Sequence, residues 1–278
     1  MKKNYLEKLF GLSGKVALLT GAGGFFGKYF SETLLLAGCK VVLMGHSLSF
    51  EKELNKLKNK YKGQVSGYKV DFYDLKMLEE ILKNIVKRHK IDILINNAYD
   101  LSSKTGFNTH EGTLGKSTYN QWLSSFHSGI YWAVLTTQII GSAMRKNNSG
   151  NIINIGSMYG IVAPDRRLYE GTKFLNPPTY GVMKAGLIAL TKYTASFWGA
   201  NGIRVNAIVP GPFSNTETIT ANYVKDSDPF IERLKNKTIL NRIGHPRELS
   251  GALLFLASGA SSYITGQVIV VDGGWTTI

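Results

Sequence analysis

The chain has 278 residues, 44% hydrophobic and 19% charged, a balance that excludes a disordered chain and leaves ample sequence for a sizeable core. No apolar run approaches the ~18 residues of a membrane span. The start, Met1-Lys2-Lys3-Asn4-Tyr5-Leu6-Glu7, leads into no apolar segment, so neither a membrane partner nor a secretory signal is expected. The single cysteine, Cys39, has no intramolecular partner and fits a cytoplasmic setting. The formal charge of +14 would suit a nucleic-acid binder, but the basic residues are dispersed. Their one concentration, Lys52 to Lys62, sets Leu54, Leu57 and Tyr61 on one helical face and the lysines on the solvated one. No nucleic-acid partner is expected; the charge either keeps the surface soluble or draws in an anionic cofactor or substrate.

Short β-rich runs alternate with longer amphipathic ones. In chain order the pattern predicts strand 15–20, helix 26–37, strand 40–44, helix 51–61, strand 65–70, helix 75–89, strand 91–95 and helix 119–146. Strand 151–155, helix 178–200, strand 203–209, helix 246–258 and strand 267–271 complete it. The strands read as continuous Val/Ile/Leu runs, the mark of burial on both faces. Seven of them separated by helices predict one α/β domain over 1–278, a doubly wound fold with a seven-stranded parallel sheet flanked by helices on both faces. Substrate-side insertions are expected near 99–117, 159–178 and 210–235. Each follows the C-terminal end of a strand, where open α/β sheets bind ligands.

The first strand ends in Thr20-Gly21-Ala22-Gly23-Gly24-Phe25-Phe26-Gly27 and runs directly into a helix. Glycines there permit a tight turn and a close backbone approach to a pyrophosphate, and the helix N-terminus offers free N–H groups and partial positive charge. The second strand ends Leu43-Met44-Gly45-His46-Ser47, without the acid that commonly binds an adenosine ribose. An acid would repel a 2′-phosphate; His46 and Ser47 can hydrogen-bond one, so NADP(H) is favoured over NAD(H). Tyr180 and Lys184 stand four residues apart on one helix face. An ammonium beside a phenol favours the phenolate and lowers its pKa from about 10. A tyrosine tuned this way can exchange a proton with a substrate oxygen while hydride moves to or from a nicotinamide. Ser157, closing the fifth strand, can hydrogen-bond the same oxygen. Alone, a Tyr-x-x-x-Lys pair is a common surface accident.

The context removes the accident. From Lys15 to Gly274 the chain resembles the short-chain dehydrogenase/reductase family, and especially its gluconate 5-dehydrogenase-like and sugar-modifying members. The matching pieces stand in order: the glycine loop, Asp71, Asn96-Asn97-Ala98, Ser157, Tyr180-Gly181-Val182-Met183-Lys184, Arg204-Val205-Asn206-Ala207-Ile208-Val209-Pro210-Gly211 and Val271-Asp272-Gly273-Gly274. The resemblance implies a Rossmann-type fold with Ser157, Tyr180 and Lys184 catalytic. It implies cofactor contacts from Gly21, Gly24, Phe26, Gly27, His46, Asp71, Phe72, Asn97, Ala98, Tyr180, Lys184, Pro210 and Gly211, and no metal. Asp71 would accept from the adenine, Asn97 and Ala98 would line the adenosine ribose, and Asn96 would brace the central strand. Lys184 would bind the nicotinamide ribose and depress the Tyr180 pKa. The implied reaction interconverts a carbonyl and a secondary alcohol on a sugar, polyol or sugar nucleotide. A 3-oxoacyl thioester reductase and a non-catalytic nucleotide-binding regulator are the alternatives. A homotetramer or homodimer is implied, through the helices 119–146 and 178–200, the latter offering Leu187, Leu190 and Thr194, with a further contact at 268–275.

Four departures from the family pattern stand out. Phe25 replaces the usual second glycine of shorter members, with Gly24 one place early. Tyr99 replaces the glycine after Asn97-Ala98; its ring either shapes the pocket or is simply packed. The helix asparagine that usually completes a proton relay is absent, its place falling on Gly129 or Phe126, with a backbone carbonyl, Ser125 or Ser128 as possible holders of a substituting water. The stretch between Ser157 and Tyr180 is longer than usual, and its Arg166, Arg167 and Lys173 either grip an anionic substrate group or form a solvated loop.

Overall fold

Side chains along each central strand alternate between two cores. Ala17 and Leu19 enter one, and Leu18 the other; Val41 and Leu43 divide from Val42 and Met44 in the same way. Both faces are therefore covered, as the continuous apolar strands require. The computed structural model describes residues 5–173, 175–213 and 229–278. Among these the strands are β1 (Val16–Thr20), β2 (Lys40–Gly45), β3 (Val65–Lys69), β4 (Ile93–Asn96), β5 (Gly150–Ile155), β6 (Ile203–Pro210) and β7 (Val268–Val271). They form one parallel seven-stranded sheet in the order β3-β2-β1-β4-β5-β6-β7. The order reverses between β1 and β4, which opens a crevice at their C-terminal ends.

The helices are α1 (Tyr5–Phe10), α2 (Phe25–Leu36), α3 (Leu48–Lys60), α4 (Leu75–Arg88), α5 (Tyr119–Phe126), α6 (Trp132–Thr136), α7 (Ser142–Lys146), α8 (Pro178–Trp198), α9 (Pro229–Lys237) and α10 (Leu249–Ala257). One core packs Phe30 and Leu34 of α2 with Leu253 and Leu256 of α10. The other packs Leu78 and Leu82 of α4 with Trp132, Ile140 and Ala195. No described helix is long and apolar enough to cross a membrane.

Several boundaries differ from the sequence reading for local reasons. Helix α3 begins at Leu48 because the Ser47 hydroxyl caps it, accepting from the Phe50 N–H at 3.3 Å. Pro246–Glu248 is a tight 3-10 turn, so α10 begins after it. The predicted helix 119–146 is helical throughout but not uniformly α. Two wider π turns, His127–Tyr131 and Thr137–Gly141, separate α5, α6 and α7. Helices α1 and α9 were not expected; α9 begins inside the predicted 210–235 insertion and ends just past it, and 214–228 of that insertion lie outside the described residues.

The expected apolar contact face of α8 is corrected. Leu187 and Thr194 are buried within the chain, and only Leu190 of the expected three is partly open. The apolar residues that α8 leaves open are Val182, Tyr193 and Phe197, the last two stacked with ring centroids 4.3 Å apart.

Candidate active site

The crevice at the strand reversal is a groove of about 590 Å³. Gly21, Gly24 and Phe26 line one end, His46 and Asp71 the rim, Phe72, Asn97 and Ala98 the floor, and Tyr180 and Lys184 the far end. Gly21 holds φ at +68°, and a Cβ there would stand 2.8 Å from Ala98 Cα, so only glycine lets the β1 and β4 ends approach. The Asn97 side chain ties that approach by donating to the Thr20 and Gly21 carbonyls. Helix α2 then starts at Phe25, and no side chain caps it. Its first-turn N–H groups are thus left for an anion in the groove. Phe25 does not disturb this turn; it becomes the first helical residue, with the Gly24 N–H donating to the Gly21 carbonyl at 3.0 Å.

These features fit a dinucleotide. The groove has a glycine cradle that a Cβ would fill, an uncapped helix end for phosphates, and no acid at the end of β2. His46 is exposed on the rim, whereas the Ser47 hydroxyl is engaged in capping α3. Three of the expected cofactor residues do not line this groove. Gly27 is buried behind the loop, Pro210 is buried as the last residue of β6, and Gly211 lines a second cavity. Trp132 does line the groove, tilted against Phe72 with centroids 5.1 Å apart. The sequence reading missed it, since within helix 119–146 it looked like any core aromatic.

Ser157, Tyr180 and Lys184 come together. Ser157 follows the end of β5, and its hydroxyl lies near enough to the Tyr180 phenol to pull that phenol's pKa downward. Pro178 starts α8, which places Tyr180 on its first turn and Lys184 one turn deeper. Lys184 is buried and its Nζ donates to the Ile155 carbonyl at 2.7 Å. Burial pushes Lys184 down to about 7. Burial also pushes the Tyr180 phenol upward, against the lowering effect of Ser157. The sequence reading expected Lys184 to lower that phenol. In this structure its Nζ lies 5.7 Å from the Tyr180 ring centroid and desolvation weakens its charge, so burial prevails.

Tyr99 lies against this centre. Its ring meets Tyr180 edge-on at 5.0 Å between centroids, and Lys184 Nζ sits 4.9 Å from its centroid. Phe107 closes the cluster, 5.2 Å from Tyr180. Of the two candidate relay positions, Gly129 faces this cluster: a Cβ on it would stand 2.5 Å from Met183 Cβ and 3.1 Å from Tyr99 Cε2. Phe126 is 42% exposed and packs with Tyr131 instead. The hydroxyls of Ser125 and Ser128 donate to the Thr105 and Ser125 carbonyls.

A second cavity of about 300 Å³ opens on the other side of Tyr180, which lines both. Its walls are largely aromatic and aliphatic: Phe107, Tyr159, Tyr169, Leu175, Phe230 and Leu234. Its polar groups are Ser157, Asn108, Asn176 and Tyr180, and the Asn176 Oδ1 is buried without a hydrogen-bond partner. No charged side chain lines it among the described residues. Arg166, Arg167 and Lys173 stay outside. Arg166 is 93% exposed near Glu170, and Arg167 forks onto Asp165, which also takes Lys237. The loop basic residues brace the insertion on itself. Phe107, Tyr169 and Phe230 come from separate loops and α9, so no local spacing could have grouped them.

A family model described as enoyl-(acyl carrier protein) reductase matches residues 26–276. The chain is 29% identical over 271 residues to a 2-dehydro-3-deoxy-D-gluconate 5-dehydrogenase of Bacillus subtilis, covering 98% of each. It is 32% identical over 285 residues to a sorbose reductase of Candida albicans, covering 99% of this chain and 92% of that one. A gluconate 5-dehydrogenase structure from Burkholderia cenocepacia, in complex with NADP and tartrate, has a TM-score of 0.82 at 26% identity and covers 99% of this chain and 100% of the other.

Proposed function

The chain belongs to the short-chain dehydrogenase/reductase family and is a nicotinamide-dependent oxidoreductase; within that family we propose that it interconverts a carbonyl and a secondary alcohol on a neutral ketose or polyol. The observation that carries this reading is the position of Tyr180. Its phenol, beside Ser157 and backed by Lys184, stands where the cofactor groove meets the second cavity.

A bound nicotinamide supplies or accepts the hydride at the substrate carbon. Tyr180 moves the matching proton at the substrate oxygen, donating it in reduction and taking it up in oxidation. Burial keeps the phenol protonated, which suits donation to a carbonyl. Ser157 orients that oxygen, and Lys184 reaches the cofactor ribose. Gly21, Gly24, Phe26 and the first turn of α2 hold the phosphates, with Gly27 supporting them from behind. Asp71 and Phe72 would hold the adenine end and Asn97 and Ala98 the ribose; Gly211, in the wall of the second cavity with Tyr180, would border the nicotinamide, with Pro210 buried behind it. His46 on the rim, with no acid at the end of β2, favours NADP(H).

Neutral sugars fit the second cavity better than sugar acids or sugar nucleotides. Aromatic walls stack on ring C–H faces, and the free Asn176 oxygen accepts from a hydroxyl. The sorbose reductase relative supports a ketose. A second reading, a 3-oxoacyl thioester reductase, draws on the same apolar walls and on the description of the matching family model. The protein is proposed to work as a cytoplasmic homotetramer or homodimer, joined through the helical stretch 119–146 and α8.

Following NADPH oxidation with neutral ketoses, keto acids of sugars and 3-oxoacyl thioesters separates these readings. Turnover of ketoses with weak or no turnover of the acids and thioesters is expected. Preference for a thioester, or for a sugar acid, would contradict the neutral-sugar reading. Tight NADPH binding without turnover of any carbonyl would favour the regulator.

A further inference from the structure

Lys184 is a buried cation. Its Nζ has one hydrogen-bond acceptor, the Ile155 carbonyl, and among the described residues no carboxylate is paired with it. An uncompensated buried charge is costly, and such a group tends to shed its proton. What covers the ammonium instead is aromatic. The Tyr99 ring lies nearest, at 4.9 Å, and the Tyr180 ring at 5.7 Å. A desolvated ammonium over a ring face is stabilised by the ring quadrupole.

We infer that Tyr99 is a positioning residue, its ring face seating the Lys184 ammonium beside Tyr180 in space that Gly129 leaves open. The inference rests on the reading of Tyr180 and Lys184 as the reaction pair. Gly129 and Tyr99 are a matched pair: any side chain at 129 would enter the space of the Tyr99 ring and of Met183. The ring, not the hydroxyl, carries the role, because the buried Tyr99 hydroxyl lies near Ser125 without a well-formed hydrogen bond. The groups around Lys184 are few. Tyr180 faces it from α8, Tyr99 from the loop after β4, and the Ile155 carbonyl from the end of β5; the nearest carboxylate in sequence to Tyr99 is that of Asp100. The Asp100 carboxylate is engaged by the Tyr73 hydroxyl at 2.7 Å. Burial drives Lys184 toward neutrality, and the Tyr99 ring face opposes that loss of charge.

The test reads Lys184 directly. In ¹³C-lysine-labelled full-length protein without substrate, its ε-CH₂ signal is assigned by its loss in Lys184→Met. The ring face places that signal upfield in the wild type, and Tyr99→Phe keeps both its position and its titration midpoint. Tyr99→Leu moves the signal downfield and lowers the midpoint by about one pH unit. Thermal melts of both variants show that they are folded. An unchanged signal and midpoint in folded Tyr99→Leu would overturn the inference. So would a Tyr99→Phe variant as altered as Tyr99→Leu, which would assign the role to the hydroxyl. An intact Tyr99-dependent signal in a protein that turns over no carbonyl would contradict the proposed reaction and leave the seat standing.

Discussion

Lys184 is held at the cost of its own charge, and this has a signature in stability. Burial pushes its pKa from an ordinary 10.5 down to about 7. Between those values the unfolded chain binds the extra proton, so this residue makes the wild type more stable as pH rises through the window. Lys184→Met removes the effect. The variant's stability relative to the wild type is therefore highest below about pH 7 and declines toward pH 10. Paired thermal melts across that range check it; a gap independent of pH would contradict it. The residue scale is also where the sequence was most and least informative. Tyr180, Lys184 and Ser157 were legible because their spacing and order carry chemistry. The upward push on Tyr180 was not, because it depends on how much solvent the folded loops exclude.

At the scale of elements, the helices are set by a few polar and close contacts. Asn96 of β4 donates to Asn154 Oδ1 at 2.8 Å and accepts from Thr136 Oγ1, and Asn154 donates to Thr191 of α8. This buried chain fixes α6 and α8 against the central strands, and so fixes Tyr180 and Lys184 over the groove. The π turn His127–Tyr131 brings Gly129 against Met183 and Tyr99. Gly129→Ala should destabilise the fold by about 1–3 kcal/mol, since the new methyl overlaps packed atoms on two sides. Denaturant unfolding measures this, and an unchanged midpoint would contradict the close packing. Strand and helix types were readable from apolar periodicity. The π turns were not, since hydrogen bonds one residue wider leave the apolar stripe of 119–146 almost unaltered. The start of α3 was misplaced because Ser47 was read for a phosphate and its capping role was overlooked.

At the scale of the molecule, the sheet order reverses between β1 and β4, and every candidate site residue follows from that. The groove, the Tyr180 centre and the aromatic cavity all lie at the C-terminal edge of the sheet. The parallel, doubly wound sheet was predictable from alternating strands and helices; the aromatic cavity was not, since loops far apart in sequence build it. The same scale governs assembly. Tyr193 and Phe197 form a stacked apolar pair 60% and 63% exposed on α8, and Val182 is exposed about three turns earlier on the same helix. Such a patch on a charged surface is expected to be covered by a second copy. Phe197→Glu should shift the protein toward monomer in light scattering after size exclusion; an unaltered mass would place the interface elsewhere.

The central claim is that Tyr180 moves the proton while the rest of the groove holds the cofactor. Steady-state turnover and NADPH affinity of Tyr180→Phe, measured side by side with the wild type, test it most directly. The account predicts that kcat falls by about 10²-fold or more, as for loss of a general acid, while the NADPH Kd changes by less than about threefold. Near-normal turnover in this variant would contradict it.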